Sequence, residues 1–538
     1  EIVSKLIISR NFDYNEIYSI ENPSIIKNEF KNNKDFINAS LLLENSINQK
    51  ELTCIFGDYD VDGSAATSLL AKFFDYIKHP YFFYIPDREG DGYGPSISVF
   101  KKLILKKPKL IIMVDCGSTA NNSIAYLNKK KIKSIIIDHH EIDKPFPKSN
   151  ALINPKKNNN NLSKDYYCAT TLTYFFLEIL IKKIKSSFDL SNYLVYVLLA
   201  LVSDVMPLRK INRYIALNTI KKFKIKDNLV FKTLYELCGK KNNLTIEDLG
   251  FFIGPIINSG SRISNSQIAA DLLISENHHV VMEKSIELIK LNNIRKDIEN
   301  KILNEINFKK LEKKNKDVIV YYSSKIKEGL IGIIASRLKD YFNRPSIVIT
   351  NSKNKLKGSA RSTTNYNIGN VIKKIIDKKL IENGGGHNMA AGFSMKKSKL
   401  KNLEDFILED FALKNKKLYL ENTYDLEISP NAINKEFSNE INKIGPFGNG
   451  NPVPNFLIKD LKIIRVTTIK NKHISVILKS KVGRSIKSIC FNSINTQIGK
   501  YLLSYKKNVH VVAQINQNYW NNNIILQLNI KDVFIWFN

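Results

Sequence analysis

The sequence predicts an α/β protein with a doubly wound parallel sheet, a second α/β domain joined to it by a long helical connection, and a C-terminal β-barrel. Apolar runs alternate with helical patterns from Glu51 and again from Asp317, which predicts the two sheets. Short alternating segments with polar turns follow the Gly/Pro-rich stretch 445–454, which predicts the barrel. A chain of 538 residues also exceeds what one hydrophobic core accommodates.

The first sheet is predicted from three apolar runs that lead into acidic residues. We predict strands at 52–56, 110–114 and 134–138, and helices at 66–77 and 193–204. The last of these helices is almost wholly apolar, so we expect it to be buried and to end near Asp204.

The connection and the second sheet follow in the same way. Residues 215–320 have mostly helical patterns. We predict helices at 281–306 and 332–342 and strands at 317–323 and 346–350, with the second α/β pattern running to about Leu413. The charges of the 281–306 helix lie on its outer faces, as is typical of a solvated surface.

The charge of the chain indicates a polyanionic partner. The net charge is +31 and the pI is about 9.6, which favours nucleic acid. A competing interpretation is compositional drift, because the chain is rich in Lys, Asn and Ile. Only eleven of the 82 basic residues are Arg, and Arg262 and Arg361 lie in Gly/Ser-rich stretches. Such retained arginines indicate positions that need a planar, bidentate group.

Cysteine usage and hydropathy indicate a cytoplasmic protein. The five cysteines form no C-x-x-C pair, which disfavours zinc ribbons and disulfide frameworks. No apolar run approaches the length of a membrane span, and we expect no membrane association. The chain begins at Glu1 without a leader pattern, and we expect the native N-terminus to lie further upstream.

Acids follow all three predicted strands of the first sheet. They are Asp58, Asp60 and Asp62, then Asp115, then Asp138 with His139 and His140; Asp204 ends the buried helix. Ligands of open parallel sheets bind beyond the carboxyl ends of the strands, so these side chains should meet there. Any one of them could instead be a turn residue or a helix cap, and Asp62 before Gly63 is the clearest case. Together they would repel one another unless a cation held them.

The donor types predict the cation. Carboxylates with one or two imidazoles and no thiolate suit Mn²⁺ or Mg²⁺ better than Zn²⁺. Five or six acids suffice for two ions that share a carboxylate, an arrangement that activates water for attack on a phosphodiester. Adjacent residues of an extended chain point in opposite directions, so His139 and His140 should have different roles.

The motifs carry a resemblance to a known family. "GDYDVDG", "VDCGS", "DHH" and "SDVMPL" resemble the four motifs of the DHH phosphoesterase superfamily. "EGDGYGPS", "INP", "NSGSR", "GLIGIIASR", "GSARS", "GGGHNMAAG" and "PFGNGNPVP" resemble its RecJ family of single-strand-specific DNA exonucleases. The likeness runs from about Glu51 to the C-terminus.

The resemblance implies a domain order. The expected parts are an N-terminal segment (1–50), a DHH catalytic domain (51–214), a helical connector (215–315), a phosphate- and nucleic-acid-binding DHHA1 domain (316–413), a linker (414–444) and an OB-like β-barrel (445–538). In the barrel, Tyr519 and Trp520 are candidates for stacking on bases, and core packing is the competing interpretation.

The resemblance also implies residue roles. The implied metal ligands are Asp60, Asp62, Asp115, His139 and Asp204, with Asp115 as the bridge. Asp58 and Asp138 would complete the catalytic set, and His140 would contact a phosphate. The implied substrate-binding residues are Arg262, Ser359, Arg361, Gly385, Gly386 and His387, in which the glycines offer backbone N–H groups and the arginines act as forks.

Two stretches depart from the family pattern. Lys327 stands where the family usually has His, and "YCATTLTYF" (167–175) has Ala and Thr where the family is Gly-rich. We expect both departures to lie apart from the metal ligands.

The expected function is 5′ to 3′ hydrolysis of single-stranded DNA in repair and recombination, with two Mn²⁺ or Mg²⁺ ions. The expected partners are a single-strand-binding protein and a helicase, and the expected state is a monomer. One alternative is a DHH phosphodiesterase on short oligoribonucleotides or small nucleotides, which would lack the barrel. A second is an inactive single-strand-binding scaffold, which should have lost its acids.

Overall fold

The structure of the protein is a computed structural model. It describes residues 1–22, 26–88, 90–92, 94–157, 166–314, 317–363, 366–414, 424–480, 483, 485–494, 496–504, 508–520 and 523–534. The chain divides into two compact units, each of which is discontinuous in sequence. One comprises 1–27, 206–221 and 419–538, and the other comprises 28–205 and 222–418. The domain boundaries drawn from the sequence stay predictions.

Residues 1–205 contain two N-terminal helices that belong to the unit of residues 419–538, and then the first sheet with its helices. In chain order the elements are α1 (Ile2–Ser9), α2 (Tyr14–Glu21), α3 (Lys34–Asn48), β1 (Thr53–Gly57), α4 (Val61–Tyr76), β2 (Tyr81–Tyr84), α5 (Ile97–Leu103), β3 (Leu110–Val114), α6 (Asn121–Lys129), β4 (Lys133–Ile137), β5 (Ala151–Ile153), α7 (Ala169–Lys183) and α8 (Leu194–Ser203).

The first sheet is parallel throughout, with the order β2-β1-β3-β4-β5. The three predicted strands are confirmed within one or two residues. Two further strands, β2 and β5, carry too weak a pattern to be predicted, because one is a half-buried run of four aromatics and the other has three residues. Strand order reverses between β1 and β3, and ligands of such sheets bind beside that point.

The helical connection runs from residue 210 to residue 314. Its helices are α9 (Lys210–Lys222), α10 (Leu229–Leu237), α11 (Ile246–Asp248), α12 (Gly254–Ile257), α13 (Ser259–Ile263), α14 (Gln267–Ile274), α15 (His278–Glu305) and α16 (Phe308–Lys314). The long helix α15 confirms the prediction for 281–306. Within the described ranges, no helix combines the length and the apolar character needed to cross a membrane.

The second sheet has the order β6-β7-β8-β10-β9. Its elements are β6 (Ile319–Tyr322), α17 (Glu328–Phe342), β7 (Ser346–Ser352), β8 (Lys355–Arg361), α18 (Ile368–Asp377), β9 (Asn383–Gly386), β10 (Ala390–Met395) and α19 (Leu400–Lys414). Only β6 and β7 pair in parallel, and the other neighbours are antiparallel. The fold is therefore the expected second α/β domain.

The C-terminal region is a closed barrel. Its elements are β11 (Leu426–Glu427), α20 (Lys435–Lys443), β12 (Phe456–Ile469), β13 (His473–Ser480), β14 (Ser485–Cys490), α21 (Gln497–Ser504), β15 (Asn508–Trp520) and β16 (Asn523–Phe534). Pairing of β12 with both β13 and β15 closes the five strands β12 to β16 into a ring, as an OB-like barrel requires. The side chains of Tyr519 and Trp520 lie outside the described residues.

Two arginines, Arg209 and Arg213, connect segments of the unit that contains the barrel. Arg209 donates to both carboxylate oxygens of Glu16 at 2.6 and 2.7 Å. This bidentate geometry is the one expected of an Arg that is retained in a chain otherwise rich in Lys. Arg213 is fully buried and donates to the carbonyls of Lys443 and Ile444 at the end of α20. These contacts tie residues 1–27 and 206–221 to the barrel, a grouping that chain order does not indicate.

Candidate active site

Three aspartates stand in one row at the carboxyl end of the first sheet. The last residues of β1, β3 and β4 pair with one another, so the next residue of each strand lies at the same level. These next residues are Asp58, Asp115 and Asp138. The backbone N–H of each donates to the last carbonyl of the neighbouring strand at 3.0–3.2 Å. Strand register alone therefore brings together acids that are 80 residues apart in sequence.

Asp60 begins helix α4. Its Oδ1 accepts the N–H groups of Asp62 at 2.9 Å and of Gly63 at 3.1 Å, so Asp60 is the N-cap. The alternative interpretation of Asp62 as the cap is therefore wrong. A Cβ at Gly63 would lie 2.6 Å from the backbone nitrogen of Asp58, so only glycine lets the helix approach the strand end this closely.

Asp62 is held by the N-terminus of α7. Its carboxylate accepts the backbone N–H of Ala169 at 2.7 Å and that of Thr170 at 2.8 Å, and the Thr170 hydroxyl donates at 2.6 Å. The expectation that residues 167–175 lie apart from the metal ligands is wrong, because their departure from the family pattern falls on these donors. Lys327, the other departure, is exposed at the start of α17.

His139 lies at the centre of the acids. Its Nε2 is 3.2 Å from Asp115 Oδ1, 3.6 Å from Asp204 Oδ2 and 3.7 Å from Asp62 Oδ2. Burial, and next the neighbouring His140, hold the pKa of His139 well below its usual value, so its ring is neutral at pH 7. A neutral imidazole is the form that ligates a metal ion.

His140 lies against Asp138. Its Nδ1 is 2.7 Å from Asp138 Oδ1, and a third of its side chain is exposed. Burial lowers the pKa of His140, but the Asp138 carboxylate outweighs it and raises the pKa to about 9. Asp138 also accepts the N–H groups of His139, His140 and Ser118. Although burial alone would raise it, His140 and these donors hold the pKa of Asp138 far below its usual value. The two histidines thus differ in their nearest acid, although both also lie near Asp115 Oδ1, at 3.2 Å from His139 Nε2 and 3.8 Å from His140 Nδ1. Their different roles stay a prediction.

The acids of the crevice repel one another in the absence of a cation. Burial, followed by the charge of Asp60, raises the pKa of Asp58 to about 8. Burial and neighbouring carboxylates likewise raise the pKa values of Asp62, Asp115 and Asp204. The Oδ1 atoms of Asp58 and Asp115 are buried and accept no hydrogen bond from any described residue. Buried carboxylate oxygens without donors are suited to a bound cation.

The donor atoms form three overlapping groups, and the ligand atoms within each lie within 4.8 Å of one another. Two of the groups are Asp62, His139 and Asp204, and Asp58, Asp60 and Asp115. The third group, Asp115, His139 and His140, shares a residue with each of the other two and contains the 3.2 Å contact between His139 and Asp115 that joins them. Among the described residues no thiolate belongs to these groups, so this donor set fits Mn²⁺ or Mg²⁺.

Arginines from three segments converge beside the acids. Burial, followed by the charges of Arg88 and Arg361, lowers the pKa of Arg262 to about 9. One Nη of Arg262 donates to the carbonyl of Gly329 at 3.0 Å. Arg88, which sequence reasoning missed, lies over the ring of Tyr59 with 4.0 Å from the guanidinium carbon to the ring centroid. The sequence feature that could have identified Arg88 is its position: it is one of only eleven arginines and lies next to the "EGDGYGPS" stretch.

The remaining predicted substrate residues lie on the second sheet. On β8, Arg361 donates to the hydroxyl of Ser359 at 3.1 Å. Gly385 and Gly386 belong to the edge strand β9, not to an open loop, and the N–H of the following His387 donates to the Ala390 carbonyl. The ring of His387 lies 6.2 Å from that of His140, centroid to centroid. The structure therefore brings His387 to the acidic crevice.

Comparison with protein families decides the assignment. The chain matches the DHH family N-terminal domain over residues 53–201, the DHHA1 domain over 315–412 and the RecJ OB domain over 424–532. The chain is similar to RecJ proteins in all three of these domains. The resemblance inferred from the motifs is thereby confirmed, and so is the RecJ-family order of fold types.

Curated RecJ-family relatives align with most of the chain. The single-stranded-DNA-specific exonuclease RecJ of Bacillus subtilis is 28% identical, covering 99% of this chain and 68% of that protein. The protein of the same name from Haemophilus influenzae is 29% identical, covering 86% of this chain and 84% of its own length.

Solved structures show the same fold. The crystal structure of Thermus thermophilus RecJ in complex with Mn²⁺ matches with a TM-score of 0.82 at 21% identity, covering 100% of this chain and 76% of that chain. The Mg²⁺ complex matches with a TM-score of 0.75 at 19% identity, covering 100% of this chain and 75% of that one.

Proposed function

We propose that the chain is a metal-dependent exonuclease that hydrolyses single-stranded DNA from the 5′ end. The observation that carries the proposal is the set of overlapping donor groups around Asp115 and His139. Their oxygen-rich character fits the cations named for the Thermus structures, Mn²⁺ and Mg²⁺. Relatives named for this activity align along nearly the whole chain. The 5′ polarity rests on the family likeness alone.

The first sheet would supply the metal ligands, and the second sheet would supply contacts to phosphates. Asp60, Asp62, Asp115, His139 and Asp204 would hold two ions, with Asp58 beside them, and the ions when bound would lower the pKa of a water and stabilise the leaving oxygen. The protein itself supplies the orientation of these ligands and a positive surface for the strand.

His140 and the arginines would bind the scissile and neighbouring phosphates. His140 is held charged by Asp138 and is partly exposed, so it can donate to a phosphate oxygen. Arg262 and Arg361 are partly buried, and neither forms an ion pair with a described residue, so a phosphate would compensate their charge. Ser359, Gly385, Gly386 and His387 are the further candidates for phosphate contacts.

End-labelled oligonucleotides test the reaction. We expect Mn²⁺ or Mg²⁺ to support early release of labelled mononucleotide from 5′-labelled single-stranded DNA, while duplex DNA and RNA of the same sequence persist. With a 3′ label, the label should stay in long products until late. Degradation confined to fragments of two to five nucleotides would instead support the small-substrate alternative.

The inactive-scaffold alternative is disfavoured by the site itself. Such a protein has no need to keep like charges together in a buried crevice, where each raised pKa reflects a loss of stability. Binding of single-stranded DNA without any metal-dependent release of label would revive that alternative.

The barrel would bind single-stranded DNA through its own surface. OB barrels bind oligonucleotides on their second and third strands and on the loop between the first two. In this barrel Phe491 directly follows the third strand, β14; half of its side chain is exposed, and its ring centroid lies 5.3 Å from that of His473 on β13. The exposed Lys470 and Lys472 lie in the loop between β12 and β13. An aromatic pair with lysines beside it is suited to stacking on bases and to phosphate contact.

Replacing Phe491 tests this role. We expect Phe491→Ala to weaken binding of a long single strand about tenfold, because stacking on one base contributes ~1–3 kcal/mol. Hydrolysis of short strands should change little. Fluorescence anisotropy with labelled oligonucleotides at several salt concentrations measures the change, with Tyr14→Ala, which removes an exposed aromatic from helix α2, as the control. Equal losses of affinity in Phe491→Ala and Tyr14→Ala would argue against stacking of a base on Phe491.

The proposal extends to the location, the pathway and the assembly of the protein. We place the protein in the cytoplasm, in DNA repair and recombination, because all five cysteines are unpaired thiols and the relatives are DNA exonucleases by name. A monomer that works with a single-strand-binding protein and a helicase is the expected assembly. Sedimentation of the purified protein, alone and with each partner, tests it.

A further inference from the structure

Helix α7 has a cap that comes from elsewhere in the chain. Its N-cap residue, Cys168, makes no side-chain capping hydrogen bond. The first two N–H groups of the helix, those of Ala169 and Thr170, donate instead to the carboxylate of Asp62. Helix N-termini need such acceptors, so Asp62 stabilises α7 and the helix in turn fixes Asp62. The carboxylate is fully buried, which leaves it little freedom to rotate.

The two oxygens of Asp62 are not equivalent. Oδ1 accepts both the N–H of Thr170 at 2.8 Å and its hydroxyl at 2.6 Å. The hydroxyl oxygen is also 2.9 Å from the Asp62 carbonyl, but the shorter contact to the carboxylate is charge-assisted and therefore the stronger. Among the described residues, Oδ2 accepts only the N–H of Ala169, at 2.7 Å, and it lies 3.7 Å from His139 Nε2.

The number of free lone pairs differs between Oδ1 and Oδ2 of Asp62. A carboxylate has about four acceptor positions, two on each oxygen. Thr170 fills both positions of Oδ1, whereas Ala169 fills one of the two on Oδ2. The single position left on Asp62 is on the oxygen that faces His139 and belongs to the same group of potential ligands as Asp204.

We propose that Thr170 is a positioning residue that restricts Asp62 to one metal-binding oxygen and thereby favours small octahedral cations over Ca²⁺. Mg²⁺ requires near-ideal octahedral geometry, whereas Ca²⁺ takes six to eight oxygens and readily uses both oxygens of a carboxylate. Occupying Oδ1 removes the bidentate mode. The inference rests on the proposed role of Asp62 as a metal ligand and adds to it the selection among ions.

Neighbouring threonines provide a matched pair of variants. Thr170→Val removes the hydroxyl with little change of volume and keeps the backbone N–H, whereas Thr170→Ser keeps the hydroxyl. Thr171→Val removes a hydroxyl from the next residue of the same helix, whose only described hydrogen bond is to Cys168 at 3.3 Å. Thr170 and Thr171 are both fully buried, so the two valine variants change the core to a similar extent.

Isothermal titration calorimetry of the full chain with Mn²⁺, Mg²⁺ and Ca²⁺ tests the inference without reference to activity. We expect Thr170→Val to bind Mn²⁺ and Mg²⁺ about 10- to 100-fold more weakly, as is usual when a group that holds a ligand is removed. Its affinity for Ca²⁺ should be unchanged or higher. Thr170→Ser and Thr171→Val should keep the wild-type order of affinities.

The outcomes distinguish failure of the proposed metal-binding function from failure of the proposed role of Thr170. If the wild-type chain binds none of the ions, the proposed metal function fails. If the wild-type chain binds Mn²⁺ and Thr170→Val retains both its affinity and its preference over Ca²⁺, the role of Thr170 is refuted. Equal losses of affinity for Mn²⁺, Mg²⁺ and Ca²⁺ would likewise refute the role of Thr170 in selecting among the ions. Should Thr170→Val not fold, Thr170→Ala, which also lacks the hydroxyl, is measured in its place.

Discussion

Asp115→Asn is expected to abolish metal-dependent hydrolysis of single-stranded DNA. Asp115 belongs to two of the overlapping donor groups, and its Oδ1 is buried without a hydrogen-bond donor among the described residues. Even residues that only hold a metal ligand alter affinity or activity 10- to 100-fold, so removing the shared ligand should reduce the rate by more than about 100-fold. Time courses of nucleotide release in saturating Mn²⁺ measure the loss.

The choice of asparagine matters at this position. Asp115 has a φ of +61°, a left-handed conformation that Asn tolerates and that strains Ala. Asp115→Asn therefore removes the charge while it keeps the backbone, and its metal-free form should be at least as stable as the wild type because one source of repulsion is gone.

Binding of the strand provides the control for this variant. Affinity for single-stranded DNA should stay within about threefold of wild type, because phosphate contacts with basic residues dominate it. Asp143→Asn changes an exposed acid close in sequence to the site and should leave hydrolysis intact. Turnover of Asp115→Asn at the wild-type rate would remove Asp115 from the mechanism.

Metal-free protein should lose stability steeply as the pH rises from about 6.5 to 9. Burial and neighbouring charges raise the pKa of Asp58 to about 8, and they also raise the pKa values of Asp62, Asp115 and Asp204. A carboxyl with a raised pKa keeps its proton to a higher pH in the folded than in the unfolded chain. Its contribution to the unfolding free energy therefore falls as the pH rises towards the folded-state pKa.

His140 acts in the same direction over this range. Its pKa is raised from 6.5 to about 9 because of Asp138, so its stabilising contribution is present below 6.5 and is lost as the pH rises through about 9. Each proton that the folded chain holds in excess of the unfolded chain contributes about 1.4 kcal/mol per pH unit to the slope.

Thermal unfolding in chelator and in Mg²⁺ measures this slope. We expect the melting temperature in chelator to fall with pH, and the fall to be much smaller in Mg²⁺, because a bound cation stabilises the ionised carboxylates. Asp115→Asn should flatten the profile in chelator, and Asp143→Asn should not. Parallel profiles in chelator and in Mg²⁺ would show that the crevice does not hold the ion.

The local pattern of the sequence predicted the elements that carry the acids. Strands β1, β3 and β4 are wholly or almost wholly buried and apolar, and such runs need no knowledge of distant residues. Strand β5, with three residues, and β9, a run of glycines, lack that signal. They are strands because neighbouring strands pair with them.

The sequence by itself determined which chemistry the chain carries: acids and histidines after three buried strands, arginines in glycine-rich stretches, and a donor set for Mn²⁺ or Mg²⁺. Only the tertiary structure decided which oxygen meets which donor. Asp60 is the cap of α4, and Asp62 is held by Thr170, which follows it by 108 residues. A hydrogen bond depends on distances of a few tenths of an ångström between segments far apart in sequence, and local pattern contains no information about them.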